Sequence, residues 1–225
     1  MQTDENRINA GKNAQLAGHK KEYEICEWLN SNSTDTFIVD GKPKTKQDII
    51  NVTNNTAYSL KSTKGKHTQC HLTSSERWCE YFNIDGKLKN WFLCFFGIPG
   101  IDVSNGKNRQ HRLKKFEIDQ DLNDFALNWF NQNKIEIFDV IVAQGMYDTP
   151  VQILIWHQKK TDTKYFYSID NIRSMVYTGQ WIINPTTLHF YTEDEKKMFH
   201  LQMKGSGEKY TSSYHSLMFH IYRCF

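Results

Sequence analysis

Long hydrophobic runs are missing from this 225-residue sequence. A membrane-spanning helix needs roughly 20 consecutive apolar residues, and the most apolar segment, WFLCFFGI at 91–98, is too short by half. The first residues, MQTDENRINAGKN, contain no apolar signal core. The sequence therefore predicts a protein that has no membrane-spanning segment and works in the cytoplasm.

Cysteine and proline are scarce and irregularly placed. The five cysteines, an odd number, do not form a secreted disulfide framework. Cys70, His71 and Cys79 lack the paired half-sites of a structural zinc centre. The four prolines mark no linker, and neither an internal repeat nor a Gly-rich phosphate loop is present. Because the length suffices for a sizeable core, we expect one domain over residues 1–225.

Neither positive nor negative charge is in large excess, because the formal net charge is only +3. Hydrophobic residues make up 39% of the chain, which excludes wholesale disorder. A weakly basic protein can bind a nucleic acid, but this composition does not require one. Composition alone thus indicates a folded, aromatic-rich protein and leaves its chemistry open.

Helical and strand patterns alternate along the chain. Glu22, Ile25, Cys26 and Leu29 fall on one face of a predicted first helix. Further helices are predicted at 74–82, 121–130 and 169–177. Strand patterns occur at 36–39, 48–53, 56–62, 69–72, 89–97, 134–142, 151–156, 199–203 and 217–223. This interleaving predicts the α/β class, with a central mixed sheet flanked by helices and additional strands in the C-terminal half.

The most informative segment is QDIINVTNNTAYSLKS at 47–62. Asn54 and Asn55 tolerate the positive φ of a tight hairpin turn. With these two residues as the loop, Asp48 lies directly opposite Lys61. Side chains opposite each other in an antiparallel pair are about 5 Å apart at Cβ and share a face of the sheet.

A hydroxyl group joins this predicted pair. Ser59 shares the face of Lys61 because strands have a period of two, while Tyr58 and Leu60 point the other way, toward a core. A carboxylate, an ammonium and a hydroxyl so arranged suit phosphodiester hydrolysis. Asp48 would bind Mg²⁺, which prefers oxygen ligands and activates water and phosphate, and the lysine would stabilise developing charge. The alternative is a salt bridge on a solvated face.

Asp48 followed by Ser59-Leu60-Lys61 resembles the core of the PD-(D/E)xK nucleases, the fold of many type II restriction endonucleases. The order of a helix, strands and a second helix over 18–82 is similar as well. The resemblance implies a Mg²⁺-dependent enzyme that cleaves double-stranded DNA at a specific site and acts as a homodimer. Its catalytic residues here would be Asp48, Ser59 and Lys61.

The sequence departs from the family pattern at two positions. Gln47 replaces the proline before the aspartate, and Ser59 replaces the second acidic residue. Some members of the family supply the missing carboxylate from a nearby helix. Glu22, on the inward stripe of the first helix, and Glu76, on the next helix, are the two candidates for a catalytic metal ligand. Thr73 and Glu76 also have the spacing of a capping box, so the alternative role of Glu76 is that of a helix-capping residue.

The bare pattern is not specific. The spacing D-x-K also occurs at 40–42, 85–87, 162–164 and 194–196. Those four matches lie in predicted turns or in polar and charged connections. Only Ser59–Lys61 lies in an alternating strand with an aspartate in register on a preceding strand, so context selects it.

Basic and polar side chains outside this hairpin are candidates for binding DNA. The predicted contacts are Lys64, Lys66, His67, Gln69, Lys107, Arg109 and Arg112. The last three belong to a basic loop that would clamp phosphates or enter a groove, or else would be an ordinary solvated loop. Residues 18–100 would form the catalytic core, and 101–225 would supply recognition and dimerisation.

The predicted function is therefore that of a type II restriction-like endonuclease. One alternative is a phage, repair or homing nuclease of the same fold. The other is a catalytically inactive DNA-binding or interaction protein that lost a metal ligand when Ser59 replaced the acid.

Overall fold

The computed structural model describes residues 2–42, 45–96, 114, 117–147, 149–184, 187–202 and 216–223. The chain divides into two compact units. The first consists of Met1–Gly65 and Val142–Asp170, and the second of Lys66–Ile141 and Asn171–Phe225. Whether the two units act as one nuclease domain stays a prediction. None of the helices in the described part is long and apolar enough to cross a membrane.

The first unit is built on a mixed five-stranded sheet. Its elements are α1 (Gln2–Ser31), β1 (Phe37–Val39), β2 (Ile49–Asn51), β3 (Thr56–Thr63), β5 (Ile153–Gln158) and β6 (Thr163–Ser168). The strand order is β1-β2-β3-β5-β6. β3 and β5 run parallel, and the other neighbours are antiparallel. The predicted α/β class with a central mixed sheet is confirmed.

Helix α1 covers one face of this sheet. Its predicted apolar stripe of Ile25, Cys26 and Leu29 packs with Phe37, Ile49 and Ile155 in one buried cluster. Tyr58 and Leu60 of β3 pack against the same cluster. Because side chains alternate along a strand, Ser59 and Lys61 are directed to the opposite face. Sequence periodicity thus assigned the core face of β3 correctly.

The hairpin register differs by two residues from the predicted one. Ile49 pairs with Tyr58 and Asn51 with Thr56, so the loop comprises the four residues 52–55. The Oδ1 atom of Asn54 accepts a hydrogen bond from the Thr56 amide at 3.1 Å, which stabilises the wider turn. The prediction that Asp48 opposes Lys61 directly was therefore wrong. A shift of two residues leaves every side chain on its expected face.

The second unit contains an antiparallel sheet and most of the helices. Its strands are β4 (His67–Ser74), β7 (Gln180–Asn184), β8 (Thr187–Tyr191), β9 (Lys197–Gln202) and β10 (Ser216–Tyr222), in the order β4-β10-β9-β8-β7. Its helices are α2 (Ser75–Tyr81), α3 (Gly86–Phe96), α4 (Gln120–Gln132), α5 (Lys134–Phe138), and α6 (Ile169–Thr178), which starts at the unit boundary. The extra strands expected in the C-terminal half are confirmed.

Two predicted strands are helical. The segment 89–97 lies largely in α3, where Leu88, Trp91 and Phe92 are buried at helical spacing. The segment 134–142 forms α5 and a following π-helical turn, Asp139–Ala143. Both are short apolar runs, whose composition alone does not distinguish a buried strand from a buried helix.

Candidate functional site

Three side chains predicted from the hairpin lie together in the first unit. The Ser59 hydroxyl donates to Oδ2 of Asp48 at 3.2 Å. The ammonium group of Lys61 donates to Ser59 Oγ at 3.0 Å and approaches the Leu60 carbonyl at 3.4 Å. We call these three residues the Asp48–Ser59–Lys61 cluster. The serine hydroxyl therefore links the carboxylate to the ammonium.

The backbone fixes the carboxylate of Asp48. The Leu60 amide donates to Oδ2 of Asp48, and the Asp48 amide donates to the Tyr58 carbonyl at 2.8 Å. Within the described residues, every hydrogen bond to this carboxylate ends on Oδ2, so Oδ1 remains available to a ligand. A side chain held in this way is preorganised for binding.

Burial strengthens the electrostatic interactions of the cluster. Ser59 is fully buried, whereas Asp48 and Lys61 are half-buried. In the part of the chain that the structure describes, Lys61 forms no ion pair with a carboxylate within 4.0 Å. Its positive charge is thus held in place without being neutralised. In a partly desolvated position such a charge attracts an incoming anion more strongly than in water.

Glu22 was one of the two candidates for a further metal ligand, but no described contact brings it to this cluster. The Glu22 side chain is 17% exposed, and its Oε2 lies 3.1 Å from His19 Nδ1. Helix α1 packs on the face of the sheet opposite Ser59 and Lys61. The role of Glu22 as a metal ligand therefore stays a prediction.

Glu76 lies in the first turn of α2, in the second unit. Its Oε2 is 3.4 Å from the Ser75 hydroxyl, and an acidic side chain at this end of a helix interacts favourably with the helix dipole. The cap itself is Ser74, whose hydroxyl accepts from the Arg77 amide at 3.3 Å. The capping position is thus one residue later than the Thr73 spacing predicts. A metal-binding role for Glu76 remains a prediction.

The oxygen atoms of the cluster decide whether it could hold Mg²⁺, the expected cofactor. Among the described residues, no group of three His, Cys, Asp or Glu side chains is arranged to hold a metal ion. Mg²⁺, however, commonly uses one or two protein carboxylates together with substrate phosphates and waters. The available Oδ1 of Asp48 fits that mode of binding, with the DNA phosphate as a further oxygen donor.

The predicted DNA contacts fall in different places. Lys64 and Lys66 are exposed in the turn 64–66 between β3 and β4, and His67 and Gln69 are exposed on β4. Lys107, Arg109 and Arg112 lie outside the described residues. All of these assignments stay predictions.

Sequence reasoning missed a hydrogen-bonded network that joins β3 to β5. Ser62 Oγ lies 2.7 Å from His157 Nδ1, and His157 Nε2 lies 2.8 Å from Asp162 Oδ1. Burial lowers the pKa of His157, and the hydrogen bond with Asp162 opposes that shift. Because His157 is only 2% exposed, this network serves to anchor the strands. The sequence does not reveal this network, because Ser62 and His157 are far apart in the chain and meet only through the parallel pairing of β3 with β5.

Comparisons with known proteins leave the family open. No protein-family model matches the chain, and no curated protein matches it. Among solved structures, the chain is similar to the restriction endonuclease MspI in complex with its cognate DNA. The sequence identity is 13%, the TM-score is 0.45, and the match covers 82% of this chain and 69% of that one. The functional proposal below therefore depends on the cluster itself.

Proposed function

We propose that this protein is a Mg²⁺-dependent endonuclease that hydrolyses phosphodiester bonds in double-stranded DNA at a specific site, as type II restriction enzymes do. One observation carries the proposal. A carboxylate with an available oxygen and an un-neutralised ammonium are held on one sheet face by a shared, buried hydroxyl. This arrangement pairs a ligand for a hard cation with a cation for a phosphate.

Each side chain has a distinct proposed role. Asp48 would hold Mg²⁺ through Oδ1, with the substrate phosphate and water molecules as its other oxygen ligands. Bound Mg²⁺ would supply a Lewis acid for the scissile phosphate. Lys61 would stabilise the negative charge that develops on the phosphate oxygens. Ser59 would orient both groups, since its hydroxyl contacts each of them.

The partner and assembly follow from this chemistry. The exposed Lys64, Lys66, His67 and Gln69 would contact DNA, and the basic loop with Lys107, Arg109 and Arg112 would add phosphate contacts. Palindromic duplex sites are best matched by a two-fold protein dimer, so we propose a homodimer. The enzyme would act in the cytoplasm.

Incubation with supercoiled plasmid and phage DNA tests this function. Addition of Mg²⁺ should convert the DNA into discrete fragments with common end sequences, and EDTA should abolish the reaction. Fragment-end sequencing distinguishes a restriction-type enzyme from a repair or homing nuclease. Binding of DNA without any Mg²⁺-dependent cleavage would instead support the inactive DNA-binding alternative.

A further inference from the structure

The residue that directly follows β1 carries a buried carboxylate. It is Asp40, whose side chain is only 3% exposed. It begins the segment Asp40-Gly41-Lys42, one of the D-x-K matches outside β3. Gly41 has a positive φ of 62°, so the chain turns directly after the aspartate. A buried carboxylate is costly unless a cation or several hydrogen bonds compensate its charge.

The described contacts of Asp40 compensate this charge only in part. Oδ2 accepts a hydrogen bond from the Thr45 hydroxyl at 3.2 Å, but the same hydroxyl lies 3.2 Å from the Gln47 carbonyl. Oδ1 lies 3.6 Å from the ammonium of Lys42, which is too far for a hydrogen bond. Since the Lys42 side chain is 73% exposed, water screens this ion pair. Within the described residues, Oδ1 of Asp40 therefore accepts no hydrogen bond, as is also true of Oδ1 of Asp48.

The register of β1 and β2 puts these two aspartates opposite each other. Val39 pairs with Ile49, and the ladder continues by one more pair, because the Asp40 amide donates to the Asp48 carbonyl at 3.2 Å. Side chains directly opposite in an antiparallel pair are about 5 Å apart at Cβ. At this spacing two carboxylates can each direct one oxygen toward the same cation.

Asp40 also shares a face of the sheet with the Asp48–Ser59–Lys61 cluster. Phe37 and Val39 pack into the buried cluster beneath α1. Because side chains alternate along a strand, Asp40 is directed to the other face, which carries the Asp48–Ser59–Lys61 cluster. All of these residues belong to the first unit.

Two carboxylates placed in this way repel each other. Like charges directly opposite on antiparallel strands destabilise a sheet. Among the described residues, no side-chain ammonium or guanidinium lies within 4.0 Å of Asp48. The pair therefore fits the binding of a cation better than it fits a role in stability.

We propose that Asp40 is a second carboxylate ligand of the Mg²⁺ that Asp48 would hold. This inference rests on the proposed function, and Asp40 would take the place of one of the water ligands. Mg²⁺ commonly binds one or two carboxylates and fills the rest of its octahedral shell with water and substrate phosphate. The alternative is that Asp40 only closes the connection between β1 and β2, for which its bond with Thr45 would suffice.

Mn²⁺ binding in the absence of DNA tests the inference without cleavage. Mn²⁺ suits the same oxygen ligands as Mg²⁺, and the EPR signal of the free aqueous ion decreases as the ion binds. Asp40→Asn keeps the shape of the side chain and its contact with Thr45 but removes the charge, so it should weaken Mn²⁺ binding at least about tenfold. Asp40→Ser, which removes the same charge with a smaller side chain, should have the same effect, as should Asp48→Asn.

Asp85→Asn is the matched control. Asp85-Gly86-Lys87 repeats the sequence of the segment at 40–42, and Gly86 also has a positive φ, of 53°. Asp85 is exposed, however, and lies in the second unit. Thermal unfolding gives a second readout, because Mg²⁺ should raise the Tm of the wild type and of Asp85→Asn much more than that of Asp40→Asn. The unfolding transitions in EDTA show that each variant is folded.

The possible results separate this inference from the proposed function. Wild-type affinity for Mn²⁺ in Asp40→Asn and Asp40→Ser, with affinity lost in Asp48→Asn, would overturn the role of Asp40 and leave the nuclease proposal in place. A wild type that does not bind Mn²⁺ would also overturn it, even if the protein cuts DNA, because both carboxylates are already held in the free protein. Binding of Mn²⁺ through both aspartates without cleavage of any DNA would contradict only the proposed nuclease function.

Discussion

At the scale of single residues, Ser59 is where the two charged groups of the cluster meet. Its hydroxyl donates to Asp48 and accepts from Lys61, and it is fully buried. A carboxylate at this position would add a metal ligand, whereas a hydroxyl adds only orientation. We therefore regard Ser59 as a positioning residue.

Replacing Ser59 with alanine should slow cleavage without abolishing it. Lys61 and Asp48 would remain, but each would lose a hydrogen bond that fixes its direction. We expect the single-turnover cleavage rate to fall about tenfold to a hundredfold, with DNA affinity in EDTA unchanged. Thr56→Ala removes another hydroxyl of β3, beside the hairpin loop, and is the control. A rate equal to that of the wild type in Ser59→Ala would show that the hydroxyl has no positioning role.

The pKa of His200 leads to a separate prediction about how stability depends on pH. Burial, followed by the neighbouring His189 and His220, lowers the pKa of His200 to about 4. The pKa of this histidine in the unfolded chain is about 6.5. Between about pH 6.5 and about pH 4, the unfolded chain therefore binds a proton at His200 that the folded chain does not. The free energy of unfolding should therefore decrease as the pH falls through this window, by at most about 2 kcal/mol after allowance for solvent screening.

The substitution His200→Gln should remove that part of the pH dependence. Urea unfolding at about pH 7 and about pH 4.5 measures it. Ile182→Val, on the exposed side of β7 opposite His189, is the control and should retain the pH dependence of the wild type. Identical pH dependence in His200→Gln would contradict the assignment.

The period-two pattern of β3 was sufficient to predict that Asp48, Ser59 and Lys61 share a face. It was not sufficient to predict which of them touch, because the position of the loop decides the register. Asn54 and Asn55 favour a turn, but nothing local specifies that the loop is 52–55 rather than one centred on these two residues. The contacts of Glu22 and the network of Ser62 depend on packing between distant segments and could not be read from spacing.

At the scale of elements, the docking of α1 on the sheet defines which face carries the cluster. Ile25 is 1% exposed and packs in the same buried cluster as Ile49 and Ile155. Helical periodicity predicts this stripe because Cys26 and Ile25 lie three and four residues before Leu29. The same reasoning failed for α3, because its apolar run is too short and too continuous to show a period.

The substitution Ile25→Ala should destabilise the first unit. Removing a fully buried side chain of this size costs about 2 to 4 kcal/mol in the free energy of unfolding, since a cavity remains. Tyr23→Ala is the control on the same helix, because Tyr23 is 59% exposed and should change stability by less than about 0.5 kcal/mol. Urea unfolding measures both. Equal stabilities in the two variants would mean that α1 is not docked as described.

At the scale of the whole molecule, the chain crosses between its units more than once. Segment Val142–Asp170 returns to the first unit and supplies β5, which pairs with β3, and β6, which pairs with β5. Sequence patterns predicted most of these strands but could not predict the return, since pairing between β3 and β5 joins residues far apart in the chain. The cluster with the proposed role in cleavage lies wholly in the first unit.

Duplex DNA should stabilise the folded protein if it binds the native state. At a DNA concentration of about 100 times Kd, the gain is about 2.7 kcal/mol. Thermal unfolding in EDTA should show a higher Tm with DNA than without it, and a smaller rise for Lys64→Ala/Lys66→Ala, which removes two of the proposed DNA contacts. An unchanged Tm for the wild type at saturating DNA would argue against DNA as a partner.

The most direct test of the central claim compares the Asp48–Ser59–Lys61 cluster with the D-x-K match at 194–196 in one cleavage assay. Asp48→Asn and Lys61→Met alter the cluster, whereas Asp194→Asn and Lys196→Met alter an exposed pair that lies 3.6 Å apart in a turn. We predict that each change in the cluster lowers Mg²⁺-dependent cleavage at least about a hundredfold, with DNA binding retained. The two turn variants should cut at the rate of the wild type. Undiminished cleavage by Asp48→Asn or Lys61→Met would contradict the assignment of the nuclease site.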